Sequence, residues 1–222
     1  MSVSTDLKTL FPNYDINYHI GKTTISEKGI QAKVKEIHWV NSDFHYIDTS
    51  IVKEFTQFFQ KSGTPHIFHL DCDGIILFEE NGKKYIFISE LKSSFDMRDL
   101  YYAKDQIISS FIKINMILHL LPNYRKEDYV FKGFIACLSP NAEFIRELHK
   151  GLFFKRGNRF KTEAEFADEL YHDKSIKLKA SECDQLRNLP LGNNCLFNEL
   201  EFHYLEVPSG NNSYTVDVLQ YI

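Results

Sequence analysis

An α/β fold, a mixed central sheet flanked by helices, is predicted by three features of this sequence. Residues 69–92, HLDCDGIILFEENGKKYIFISELK, read as two apolar strands about an Asn81-Gly82 turn. A helix-spaced apolar run precedes them, and a longer one follows and leads into another apolar strand. Strand and helix signals that alternate in this way point to one sheet with helices packed against it. With 222 residues, 43% of them hydrophobic and 25% charged, the chain can bury the core of one domain. That domain, 1–222, divides into a core at about 48–140, an N-terminal strand extension, 1–47, and a C-terminal helical and hairpin extension, 141–222. The 19 Phe and 12 Tyr exclude a disordered chain.

Taken in order, residues 13–20 and 30–40 are aromatic and β-branched, with turn residues around Gly21 and Gly29, and predict an N-terminal strand pair. Asp48, Thr49 and Ser50 are N-cap candidates for a helix in which Ile51, Phe55, Phe58 and Phe59 recur at helical spacing until Gly63-Thr64-Pro65. HIFHLDC, 66–72, then enters the hairpin either as a short strand of its own or as a bulged extension. Asn-Gly is the strongest short-range hairpin signal, because a type I′ turn needs positive φ at both central residues. Strands at 74–80 and 83–92 set Asp73 level with Glu90, and alternation puts Glu90 and Lys92 on one side with Leu91 on the other. After the link Ser93-Ser94-Phe95-Asp96, the spacing of Leu100, Ala103, Ile107, Ser110, Phe111, Ile114, Ile117, Leu118 and Leu121 predicts an amphipathic helix of about six turns, stopped by Pro122. YVFKGFIACL, 129–138, reads as a buried strand. Shorter helices are expected at 141–150, 162–172 and 181–188, and a closing hairpin from 196–207 and 214–222.

Several classes are excluded by composition. The run at 100–121 is interrupted by Lys104, Asp105, Gln106 and Lys113 and is no membrane span. Cys72, Cys137, Cys183 and Cys195 are scattered without the spacing of a disulfide framework or zinc knuckle. MSVSTDLKTLF lacks the blocks of a secretory signal, so a cytoplasmic location is expected. A net charge of −4 does not suit a protein that coats nucleic acid non-specifically. One segment is basic, however: Arg146, Lys150, Lys155, Arg156, Arg159 and Lys161, opposed inside it by Glu147. Its interleaved Phe153, Phe154 and Phe160 fit either a nucleic-acid-binding track or a solvated loop.

Asp73, then Glu90-Leu91-Lys92 at the end of the next strand, then a helix carrying Gln106 in YYAKDQI, resembles the PD-(D/E)XK nuclease superfamily with its restriction-endonuclease-like fold. The match covers residues 50–138: helix, three-strand meander, helix and strand. Cys72 stands where some members have proline. The resemblance implies a Mg²⁺-dependent endonuclease, with Mn²⁺ as substitute, that hydrolyses DNA in restriction, repair or phage defence. Asp73 and Glu90 would bind metal together with the Leu91 carbonyl, and Glu54 on the first helix would add a ligand. Lys92 would stand beside the attacking water, and Gln106 would hold that water or the DNA backbone. The chemistry is consistent, since Mg²⁺ takes few protein ligands and relieves the charge on the attacking and leaving oxygens, while an ammonium stabilises charge developing on phosphorus.

Other readings stand beside this one. Glu90 and Lys92 as an exposed cross-strand ion pair would contribute only ~0.2–1 kcal/mol and need no function. If residues 66–73 form one strand, His69, Asp71 and Asp73 share a face and make a mixed metal site. Ser93 and Ser94 suit a phosphate or a helix cap, Cys72 a small buried filler, and Glu79-Glu80 a solvated tip. At the level of function the alternatives are a catalytically silent nuclease-fold binding or assembly subunit and an RNA nuclease of the same fold. A homodimer or a partner protein subunit accords with any of these.

Overall fold

The central hairpin forms in the predicted register. β5 (Gly74–Glu80) and β6 (Lys83–Lys92) pair antiparallel, Gly74 opposite Ser89 and Glu80 opposite Lys83. Asn81 and Gly82 take φ of 53° and 75°, as a two-residue turn requires. The structure is a computed structural model that describes residues 3–155 and 157–222. Its main sheet has seven strands in the order β1 (Ile16–His19), β4 (Phe44–Ile47), β5, β6, β7 (Tyr129–Leu138), β9 (Leu200–Val207) and β8 (Ser175–Leu178). The β6–β7 and β7–β9 pairs are parallel and the rest antiparallel, so the sheet is mixed. A second sheet runs β10 (Ser213–Asp217), β3 (Glu36–Val40), β2 (Lys22–Ser26).

Alternation along the strands divides the main sheet between two cores. Ile75, Leu77, Ile86, Ile88 and Ile135 face one core. It is joined by α1 (Val3–Leu10), α2 (Ser50–Lys61), α3 (Met97–Leu118), α4 (Ala142–Leu152), α5 (Arg159–Asp173) and α6 (Asp184–Arg187). Ile76, Phe78, Tyr85, Phe87, Leu91 and Phe134 face the other, which Ile25, Ile37 and Trp39 of the small sheet close. The layers are therefore helices, large sheet, small sheet. α3 lies against β6 and β7 and starts at Asp96, whose side chain accepts from the Arg98 and Asp99 N–H groups at 3.0 and 3.2 Å. No helix among the described residues is long and apolar enough to cross a membrane, and all four thiols are free.

The two extensions are built differently from expectation. Residues 13–20 and 30–40 contribute strands, but these do not pair: β1 joins β4, and β3 lies between β2 and β10. Gly21 (φ 69°) and Asn41 (φ 71°) turn the chain from one sheet to the other. Likewise 196–207 and 214–222 make no hairpin. Both edges of β9 are already taken, by β7 and β8, so β10 crosses over and pairs parallel with β3. The strand that completes the β5–β6 meander is β4, which precedes α2 instead of following it. Residues 66–72 are neither a strand nor a bulge: a 3₁₀ turn (His66–His69) is followed by an extended strap, 70–72. His69, Asp71 and Asp73 thus do not lie along one strand face. The helix expected at 181–188 splits into a 3₁₀ turn (Ala180–Glu182) and the single turn of α6.

Gly74 shows how tightly the layers meet. A Cβ at this position would sit 2.5 Å from carbons of Ile25 on β2. Gly74→Ala is expected to cost about 1–3 kcal/mol through overpacking, read as a lower urea midpoint, and to cost less in an Ile25→Val background.

Candidate active site

The end of the hairpin gathers the residues that the sequence singles out. Asp73 stands one residue before β5 and keeps the register, its N–H donating to the Ser89 carbonyl at 3.1 Å. Its Oδ2 accepts from the Leu91 N–H at 2.7 Å. Glu90 and Lys92 share the helix-facing side of β6, and Lys92 Nζ donates to Glu90 Oε1 at 2.7 Å and to Gln106 Oε1 at 2.6 Å. Gln106 Nε2 in turn donates to the Asp71 carbonyl at 2.9 Å. Glu90, Lys92 and Gln106 therefore form one bonded group, which Asp73 adjoins through the Leu91 N–H. It is not an exposed ion pair, because Glu90 is 2% exposed, and burying a charge pair is costly unless other interactions compensate.

The strap leading to Asp73 is held by α3, not by a neighbouring strand. Ser109 Oγ donates to the Leu70 carbonyl at 2.8 Å, and the Cys72 N–H donates to Ser110 Oγ at 2.9 Å. Lys113, fully buried, donates to the Leu70 carbonyl and to Thr56 Oγ1 of α2. With Gln106, these side chains satisfy backbone groups that a strand partner would otherwise satisfy. They fall on the face of α3 that packs inward, where Lys113 reads in the sequence only as an interruption of an apolar run. Cys72 is the small buried filler expected, and burial pushes its thiol upward.

Charge is the unusual property of this group. Burial pushes the Asp73 carboxyl well above the carboxylate range, the Glu90 charge adds to this, and the Leu91 N–H pulls the other way. Burial also raises Glu90, to about 7, although Lys92 opposes the shift. Glu90 Oε2 is buried without a hydrogen-bond partner. Two repelling carboxylates, one with an orphaned anionic oxygen, are a donor set that fits a hard divalent cation. Among the described residues no three His, Cys, Asp or Glu side chains stand ready-made around one point. A cation here would start from two carboxylates and backbone, the sparse protein set that Mg²⁺ accepts.

One participant was not legible in the sequence. Glu27, in the loop after β2, has its carboxyl within hydrogen-bonding reach of Asp73, and its charge raises Asp73 and Glu90 alike. Glu54 lies on the exposed side of α2. Glu27 occupies a stretch that reads only as a turn, so nothing in the pattern marks it.

The outer candidates fare unevenly. Ser93 Oγ accepts from the Lys33 N–H at 3.1 Å, Ser94 is exposed, and Asp96 is the side chain that caps α3. In the basic segment Lys150 pairs with Glu147 (2.6 Å), Arg159 with Glu163 (2.7 Å) and Lys161 with Glu165 (3.7 Å). Two glutamates just beyond the run thus join the one inside it. Lys155 is exposed, and Arg156 lies outside the described residues. The segment borders a cleft that Arg159 lines with His66, Tyr101 and Asp105, and Asp105 neighbours Gln106 on α3.

Two stability effects follow from the charges. Burial pulls the Lys113 ammonium down from 10.5, its ordinary value, to about 8 in the folded protein. In that window the unfolded chain holds more protons, so unfolding free energy rises with pH. Wild type should gain on Lys113→Met across the window in urea unfolding, and a constant gap would remove the buried ammonium from the account. A carboxyl raised by folding contributes stability below its unfolded pKa and loses it as pH rises. Metal-free Asp73→Asn should accordingly unfold at higher urea than wild type at neutral pH.

Comparison with protein-family models, with curated proteins and with solved structures gives no match, so the geometry of the site carries the functional reading.

Proposed function

We propose that this protein is a Mg²⁺-dependent endonuclease of the restriction-endonuclease-like type, acting on DNA. The observation that carries the reading is the group Asp73, Glu90, Lys92 and Gln106 at one end of the β5–β6 hairpin, with Glu90 buried and its Oε2 left unpartnered. The order α2, β5, β6, α3, β7 over residues 50–138 supports it as well.

Asp73 and Glu90, with the Leu91 backbone, would hold the metal. When bound, the ion would supply Lewis-acid stabilisation of the charge on phosphate and water oxygens. The chain's own residues position the reactants. Lys92, tied to Glu90 and Gln106 by hydrogen bonds of 2.7 and 2.6 Å, keeps its ammonium at the site where negative charge develops on phosphorus. Gln106 is anchored through Asp71 and directs its carbonyl oxygen at Lys92, which fixes the ammonium. The basic segment, beyond the charges its glutamates neutralise, would meet the phosphate backbone.

The test is cleavage of plasmid, short duplex, single-stranded DNA and RNA in Mg²⁺ or Mn²⁺. DNA cleavage is expected, lost on chelation and reduced by about 10²–10³-fold or more in Asp73→Ala and in Lys92→Ala. Cleavage that survives both substitutions would overturn the assignment. Cleavage of RNA alone would transfer the site to that substrate, whose 2′-OH a protein must read separately.

A further inference from the structure

We infer that Glu27 supplies a third carboxylate to the metal centre, which makes the small sheet part of the active site. The inference rests on the reading of Asp73 and Glu90 as metal-binding groups. Glu27 directly follows β2, and several contacts seat it against the catalytic hairpin. Ile25 presses on Gly74, the residue beside Asp73, leaving no room for a Cβ there. Ile25 and Val34 are buried in the same core as Leu91, and the Lys33 N–H donates to Ser93 Oγ. Both limbs of the 27–35 loop therefore rest on residues that adjoin Asp73 or the Glu90-Leu91-Lys92 motif. The loop is closed by the Glu27 N–H to the Lys35 carbonyl (2.9 Å) and by Lys35 Nζ to the carbonyls of Gly29 (2.5 Å) and Ile30 (3.1 Å).

At its tip the Gly29 N–H holds Glu27 Oε1 at 2.5 Å, while the carboxyl stays within reach of Asp73. The independent sign of a ligand is Glu90 Oε2, buried and unpartnered beside them. Three ionised carboxylates against the ammonium bonded to Glu90 would leave two negative charges in a largely buried space, the charge of one divalent cation. Since the three side chains are not gathered around one point beforehand, Glu27 joins by rotating its side chain away from Gly29, over a backbone that stays anchored.

Titration of Mn²⁺ into metal-free protein, followed by calorimetry and by the electron paramagnetic resonance of free Mn²⁺, tests this without recourse to activity. Glu27→Gln and Glu27→Ser are each expected to weaken Mn²⁺ binding by about 10–100-fold or more, with urea unfolding confirming that both are folded, while Glu54→Gln binds as wild type does. Unchanged binding by the Glu27 variants together with its loss in Asp73→Asn would overturn the inference alone. Weakening in Glu54→Gln and not in Glu27→Gln would return the third carboxylate to α2. Wild type that takes up no Mn²⁺, or Asp73→Asn that binds as tightly as wild type, would overturn the metal reading and this inference with it.

Discussion

The position of Asp73 depends on hydrogen bonds between α3 and the strap at residues 70–72. A backbone segment that enters a sheet without a neighbouring strand leaves polar groups that must be paired elsewhere. Here Gln106, Ser109, Ser110 and Lys113 pair them from successive turns of one helix. The same helix sets Gln106 against Lys92, so one rigid element fixes both the acid that opens β5 and the amine that closes β6. Asp73 and Lys92, positioned in this way, take their geometry from a helix and a strand pair and not from a free loop.

Folding has to accommodate what this arrangement costs. Asp73, Glu90 and Lys113 are ionisable groups held in places that disfavour their charged forms. The apolar contacts around them are extensive: Ile86, Ile88, Ile107, Phe111 and Ile114 are fully buried or nearly so. Each such side chain contributes on the order of 1.5–3 kcal/mol by leaving water, enough in sum to carry a few unfavourable charges. The cost thus falls on Lys113, which holds the strap, and on Asp73 and Glu90, to which the proposed chemistry is assigned, as expected where function opposes stability.

The parts of the fold legible in the sequence were those with local causes. Asn81-Gly82 dictates its turn through two positive φ angles, and that turn alone sets the register that brings Asp73 level with Glu90. The long apolar spacing of α3 and the β-branched run of β7 are likewise properties of a few consecutive residues. What could not be read depended on distant partners. Nothing near residues 13–20 reveals that β1 pairs with β4 while β2 and β3 belong to another sheet, nor that β9 has both edges occupied. Glu27 escaped for the same reason: its proximity to Asp73 comes from Ile25 nesting on Gly74, a contact across two sheets. Ser109 and Lys113 look like flaws in an amphipathic pattern until the strap they hold is seen.

The parallel pairing of β10 with β3 has a consequence for the order in which the protein is made. The small sheet takes two strands from residues 22–40 and one from residues 213–217. During synthesis, β2 and β3 leave the ribosome before the main hairpin, and β3 waits until residues 213–217 emerge before β10 can cover its second edge. The loop that carries Glu27 is anchored to this late-closing layer, its Lys35 and Glu36 N–H groups bonded to the Asn212 carbonyl. A nascent chain can thus pair β5 with β6 and dock α3 while the layer over Asp73 is still incomplete. If this protein cuts nucleic acid, completion of its centre waits on the pairing of β10 with β3, a contact between segments far apart in the chain.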